Sequence, residues 1–518
     1  MQRFVTALFC LVLAVALASC DTSVNKTNPN ELTTENFFQD TQQALTGVFG
    51  VYDILQETGL YSRHQYFNLD MLSEEAVGTS SLQGALRPVE TRTYSASNGS
   101  IAPTWNALYL GIKRANLVLE RIPENADNID DSDRLVAEAR FLRALYYFEL
   151  VSLWGDVPLL ENVKNEVGGE PRAPASEVYA LILSDLEFAA NNLPRKSEIA
   201  STMLGRAPRG AALALEGRVQ LMRGEWEAAR AAFQAVIDLG EYRLMEEYFD
   251  NFREETENND ESVFEVQFSD NTAGSNWGSP GTADQTWRRQ EYGWLDWNNV
   301  LISDRLLNEF EDGDPRKDES FYQICDTYNN GQNVVLPGSD QFPNGSEYAC
   351  GVSDEVAADQ PKHPSRPSWR KYTNYYGSDS HPCCTSGINM NVMRYAEVLV
   401  GLAEAQIELG NITAAGSGSP SAVSLLNQVR QRPSVSMPDI ATVYDMTSRQ
   451  GALEALYHEY ASEFAGEQVL IYPQVRRLDF WEDWAGDEAS NIRRFLPIPQ
   501  SEIDSNPAIS ASDQNPGY

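Results

Sequence analysis

Apolar side chains recur at spacings of three and four through most of the N-terminal half of this chain, the period of helices with one buried face. From Thr34 to about Glu57 they fall at Phe37, Phe38, Leu45, Val48, Phe49, Tyr52 and Leu55, and from Trp105 to Ile122 at Leu108, Ile112, Leu117 and Leu119. Asp133 to Trp154 carries Leu135, Ala139, Leu142, Leu145, Tyr146 and Leu150 and stops before Gly155. Ser176 reads as the N-cap of a further helix that ends near Asn192, ahead of Pro194. Strand-like alternation is scarce, with Val263 to Phe268 the best example.

A repeat lies inside this pattern. Gly217, Gly224, Trp226, Ala229 and Phe233 have the spacing of a tetratricopeptide unit, in which two antiparallel helices approach through small residues and an aromatic ring fills the gap toward the next pair. A looser copy runs from Tyr395 to Val429 with Gly401, Ala405, Ala422 and Leu426, its turn lengthened by the Gly/Ser-rich stretch from Ala414 to Ser421. The expected fold is mainly α: a tetratricopeptide-like helical-repeat superhelix bearing large loop-rich insertions that form a ligand face. The main insertion, about residues 254–389, is rich in Asn, Asp, Gly, Pro, Trp and Tyr, with a short helix near Ser303 to Glu311.

Composition narrows the function. The 518 residues include 39 basic and 75 acidic side chains, a formal net charge of −36, and such a surface repels phosphate backbones, so a nucleic-acid partner is not expected. Seven lysines against 32 arginines on an acid-rich chain suggest a salty medium. At the N-terminus Arg3 precedes an apolar run from Phe4 to Ala18 that is too short to span a bilayer of about 30 Å, and the run closes Leu17, Ala18, Ser19, Cys20. This layout predicts a lipoprotein signal peptide over 1–19, acylation of Cys20, a lipidated tether over 20–32 and one domain over 33–518. No later segment is long and apolar enough to span a membrane, so lipid alone would hold the mature chain. Cys325, Cys350, Cys383 and Cys384 then remain; they allow three pairings, and loop disulfides are expected rather than a metal site with His363 and His381, whose ligand spacing is wrong for zinc.

The candidate chemistry is aromatic. Four of the ten tryptophans fall within 21 residues, Trp277, Trp287, Trp294 and Trp297, with Arg288 and Tyr292 among them. Pyranose C–H faces stack on such rings while neighbouring polar groups meet the hydroxyls, although a peptide would use the same groups and the rings could equally bury one another under long loops. Tyr94 and Asn98, in the loop from Ser80 to Pro103, are placed beside the same surface. The acidic balance disfavours anionic polysaccharides, a preference that an exposed Arg288–Arg289 patch would reverse. No carboxylate pair stands out for glycoside hydrolysis, Asp312 to Arg316 lacks the later ligands of a calcium loop, and there is no P-loop, nucleophile elbow or zinc-protease motif. His458 lies in a helical pattern and reads as structural. Neither an enzyme nor a cofactor is expected.

The C-terminus gives the most specific pattern: Phe495, Pro497, Pro499, Gln500 and Glu502, then Asn506 and Pro507, then Gln514, Asn515, Pro516, Gly517 and Tyr518. With Glu138, Arg140, Arg143 and Tyr146, then Gly155, Asp156 and Pro158, and with Arg114, Asn116, Asp314, Arg316, Arg394 and Glu397, it resembles the SusD/RagB family of outer-membrane nutrient-binding lipoproteins over essentially the whole chain. The stretch from Glu459 to Trp481 departs from the family's pattern, being apolar with Pro473 from Gln468 to Gln474. The resemblance implies a surface lipoprotein that acts as a lid on a SusC-like TonB-dependent transporter, capturing oligosaccharides for import without cleaving them. Some relatives capture peptides instead. It treats the C-terminal signature and the Arg140 helix as structural hallmarks and transfers no ligand residues.

Overall fold

Asp40 starts the first helix: its carboxylate accepts the backbone N–H of Gln43 at 2.9 Å, and α1 runs Thr41–Tyr52. The computed structural model describes residues 37–73, 75–82, 84–163, 169–269, 285–335, 367–377, 386–416, 418–467 and 495–518. The signal segment 1–19, Cys20 and the tether, Trp277, Cys350, His363, His381, Cys383, Cys384 and the departure at 468–481 lie outside the described residues. Helix α1 is shorter than its hydrophobic pattern, because Asp40 caps it late and the chain tightens into a 3-10 turn at Asp53–Gln56.

Helix α2 (His64–Leu72) and strand β1 (Ala76–Gly78) lead to α3 (Ile101–Glu124) and α4 (Ser132–Trp154). From Leu135 onward α4 is buried all round except at Arg140, as a helix packed on several sides must be. Its polar residues are paired accordingly. Arg143 grips Asp185 of α5 (Ala175–Asn192) through Nε at 2.7 Å and Nη2 at 2.8 Å. Ser176 does not cap α5. Pro174 stands at the cap position, and the carboxylate of Asp156, brought close by the turn after α4, accepts the N–H of Ala175 at 2.8 Å.

Helices α6 (Arg209–Arg223) and α7 (Trp226–Asp238) form the hairpin that the repeat predicts, turning at Gly224 with φ +72°. Strand β2 (Ser262–Val266) then enters the insertion, which holds α8 (Arg288–Tyr292), β3 (Val300–Ile302), α9 (Asp304–Glu309) and α10 (Pro315–Ser320). Asp314 caps α10 by accepting the N–H of Arg316 at 2.9 Å, so the Asp312 to Arg316 motif is a turn into a helix. The chain returns through β4 (Met390–Arg394), antiparallel to β2, into α11 (Tyr395–Glu408), α12 (Ala422–Arg430) and α13 (Arg449–Glu463). Among the described residues no helix is long and apolar enough to cross a membrane.

Buried ion pairs tie the insertion to this frame. Glu459 and Glu463 of α13 and Glu467 beyond it stand one helical turn apart in sequence. Arg316 meets Glu459 at 2.5 Å and Glu463 at 3.2 Å, Arg432 meets Glu463 at 2.5 Å, Arg394 meets Glu467 at 2.7 Å, and Lys371 meets Glu467 at 2.9 Å. The C-terminal signature is a strap over the end of α4: Trp154 Nε1 donates to the Pro497 carbonyl at 2.9 Å, and Asn515 Nδ2 donates to the carbonyls of Trp154 and Leu496 at 2.9 and 2.7 Å.

Candidate ligand-binding face

The tryptophan-rich segment folds into a tight knot. Gly293 N–H bonds the Arg289 carbonyl at 2.7 Å and so ends α8 after five residues; the chain then doubles back, with Trp297 N–H on the Gln290 carbonyl at 3.0 Å and Asn299 N–H on that of Glu291 at 2.8 Å. Asn298 takes the left-handed conformation at φ +49° to allow the reversal. Strand β3 follows at once and pairs antiparallel with β1, setting Ala76 opposite Ile302. Thr79 N–H extends that ladder to the Asn299 carbonyl at 2.9 Å, which brings the exposed Ser80 and Ser81 alongside the knot.

A satellite aromatic core supports it. Trp294 packs edge-on against Tyr328 at 5.5 Å, in a cluster with Tyr322, Val335 and Tyr375. Tyr375 donates its hydroxyl to Asp296 Oδ2 at 2.6 Å, and Arg289 Nε donates to the same oxygen at 3.1 Å while its guanidinium lies over the Tyr375 ring. The residue next to this clamp is Trp297, 42% exposed, whereas Trp287 and Trp294 are 5% and 6% exposed.

Beneath the knot, Arg288 is enclosed. Its guanidinium lies between the rings of Tyr66, Tyr292, Trp369 and Tyr372 at 4.6 to 5.8 Å from their centroids and donates Nη2 to the Gly466 carbonyl at 2.7 Å. Tyr292 donates to Asp70 at 2.5 Å, and Glu75 accepts the Gly466 N–H at 3.2 Å. Burial pushes both carboxyl groups up, Asp70 to about 7 against the opposing pull of Arg288, and Glu75 to about 8 with Asp70 adding to the rise.

The expected site residues thus separate. Trp287, Arg288, Tyr292, Trp294 and Trp297 share one knot, but of these Trp297 alone presents a large exposed ring. The surface patch expected of Arg288 and Arg289 does not form, because both guanidinium groups are buried against aromatic rings. Tyr94 and Asn98 do not join the knot. Tyr94 is buried against Tyr518 at 5.7 Å, and Asn98 Oδ1 accepts the N–H groups of Ser100 and Ile101 at the start of α3. Tyr375, which with Arg289 clamps Asp296 beside Trp297, escaped sequence reading because it lies 79 residues from Asp296 and no periodicity links the two. His458 sits beside Glu309 at 2.7 Å, stacked on Tyr444. Cys325 is disulfide-bonded, and every other cysteine lies outside the described residues. Among the described residues no group of three His, Cys, Asp or Glu side chains could hold a metal ion.

Two family models divide the chain: one described as "Starch-binding associating with outer membrane" matches residues 24–221, and one described as "SusD family" matches residues 244–477. The chain belongs to the SusD/RagB family. SusD-like protein P25 of Formosa agariphila is 26% identical over 96% of this chain and 97% of its own length. Among solved SusD-like structures, a homologue from Bacteroides thetaiotaomicron superposes with a TM-score of 0.75 at 21% identity, covering 94% of this chain and 98% of that one. A "Laminarin binding SusD-like protein" superposes with a TM-score of 0.72 at 25% identity, covering 93% of this chain and 100% of that one. The helical-repeat architecture is therefore that of SusD-like proteins, a family of carbohydrate binders associated with the outer membrane.

Proposed function

We propose that this protein captures oligosaccharides at the cell surface and delivers them, uncleaved, to a SusC-like TonB-dependent transporter in the outer membrane. In this reading residues 1–19 are a lipoprotein signal, Cys20 carries the lipid, 20–32 is a tether and 33–518 is one domain facing outward. The observation that carries the capture role is Trp297: an exposed ring next to Asp296, a residue clamped by Arg289 and Tyr375. A preset aromatic platform loses little entropy on binding, and the flanking polar atoms can meet sugar hydroxyls. The laminarin-binding relative and the starch-binding family description support a glucan-type ligand. Trp277 stands in this reading as a further ligand contact.

The test is calorimetry on the soluble form lacking residues 1–20, titrated with laminarin and malto-oligosaccharides, an acidic oligosaccharide and a peptide digest, with the ligands checked for cleavage afterwards. Saturable heat with one neutral glycan, intact ligand and a loss of at least about 1 kcal/mol in Trp297→Ala is the expected result. Heat with peptides alone would transfer the protein to the peptide-capturing branch, and released sugar would make it a hydrolase. Unchanged affinity in Trp297→Ala would remove the platform assignment.

A further inference from the structure

A second concave site opens away from the knot. Between α1, the segment around Leu204 to Arg206 and the C-terminal end of β2 lies a cavity of about 320 Å³, at the lower end of the size range of small-molecule sites. Phe49 and Leu204 line it and are 40% and 47% exposed, two of the five large hydrophobic side chains that stand exposed among the described residues. Buried Leu55 and Val266 complete its apolar wall.

Its polar groups are held in place with capacity to spare. Arg206 bonds the buried carboxylate of Glu138 through Nε, at 2.9 Å, and through Nη2, which leaves Nη1. Asp53 accepts Arg114 on Oδ2 at 2.8 Å, which leaves Oδ1, and Gln56 donates its amide to the Gln267 carbonyl at 2.6 Å, which leaves its own carbonyl oxygen. Each charge already has a partner: Asp53 has Arg114, Arg206 has Glu138, and the lining Glu265 accepts the Asn258 N–H and the Asn389 amide. A full ionic charge on a ligand would gain little here. A flat apolar face edged with hydroxyls would match both halves of the lining.

We propose that this cavity is a second carbohydrate site, which takes one neutral pyranose unit or the end of a neutral chain, its C–H face on Phe49 and its hydroxyls toward Arg206 Nη1, Asp53 Oδ1 and the Gln56 carbonyl. It rests on the glycan-capture reading for the class of ligand and on its own geometry for the place. The Phe49 ring is 40% exposed, with the Arg206 guanidinium 6.0 Å from its centroid, so Phe49→Ala should fold normally, and Leu204→Trp would fill space in the lining.

Calorimetry of the soluble form with maltotriose and laminaritriose, alongside crystals soaked in each sugar, distinguishes the two readings. The expected result is sugar density in the cavity and residual binding in Trp297→Ala that weakens about tenfold or more in Phe49→Ala/Trp297→Ala and is likewise lost in Leu204→Trp/Trp297→Ala. Water alone in the soaked cavity, or a Trp297→Ala variant with no remaining heat, overturns the second site and leaves the Trp297 platform standing. Sugar in the cavity with unaltered affinity in Trp297→Ala does the reverse. Heat with a peptide digest that Phe49→Ala removes, with no sugar bound there, overturns the carbohydrate assignment and makes the cavity a docking pocket for an apolar side chain.

Discussion

The ring of Phe233 in α7 lies directly on Gly401 of α11: a Cβ built at Gly401 would come within 2.8 Å of two ring carbons, and one at Gly217 of α6 within 2.6 Å. One aromatic side chain thereby closes its own helical pair and docks the next one, through two positions where a methyl group does not fit. Gly401→Ala and Gly217→Ala should each destabilise the fold by about 1–3 kcal/mol, because a close-packed interior has to shift to admit the extra carbon. Urea unfolding of both variants checks this, with Gly240→Ala no guide because its backbone is left-handed at φ +65°.

Glu463 is the centre of the charge hub. Burial alone would raise its carboxyl, but Arg432, Arg394, Arg316 and Lys371 outweigh that and bring it down to about 2. Because the folded value lies below the unfolded one, its contribution is present above the ordinary carboxylate range and is lost as pH falls from there through about 2. Glu463→Gln should cost about 3–5 kcal/mol near neutrality, leaving buried guanidinium groups uncompensated, and the gap to wild type should narrow toward pH 2. Thermal unfolding across acid pH reads both.

Asp70 and Glu75 behave oppositely. Burial raises the pair to about 7 and about 8, so the folded protein keeps protons that the unfolded chain has released. Their favourable contribution is complete below the unfolded carboxylate values and is lost as pH rises from about 4 through 8. Asp70→Asn, which preserves an oxygen for Tyr292, and Glu75→Gln should flatten the decline in stability between mildly acidic and mildly alkaline pH. An unaltered slope in the double variant would exclude the pair as its source.

Tyr375→Phe removes the 2.6 Å hydrogen bond to Asp296 and keeps the ring in the satellite core. Glycan affinity should fall by about 0.5–1.5 kcal/mol, less than in Trp297→Ala, with little change in melting temperature. Equal affinity in wild type and Tyr375→Phe would mean that the clamp does not set the platform.

Much of the helical frame was legible because it rests on local periodicity: α4 ends at Trp154 as read, and Phe233 fills the gap that its repeat spacing implies. The cap of α5 was misread because Asp156 reaches it from the preceding turn, a contact with no fixed offset. Within the insertion, the cluster of aromatic residues marked a candidate ligand surface, yet composition could not separate the rings that support from the ring that faces outward. That division depends on Tyr375 and Asp70, which arrive from distant segments. Arg288 illustrates it: beside tryptophans in sequence it reads as a surface cation, and in the fold it occupies an aromatic cage.

The placement of the buried cations has a further consequence. Arg316 and Lys371 secure both ends of the stretch between them to the glutamates around α13. Between the anchors, Tyr322, Tyr328 and Trp369 carry the aromatic support of the knot, so the insertion and the helical frame share one set of fastenings and should melt as a single cooperative unit, not as a detachable module.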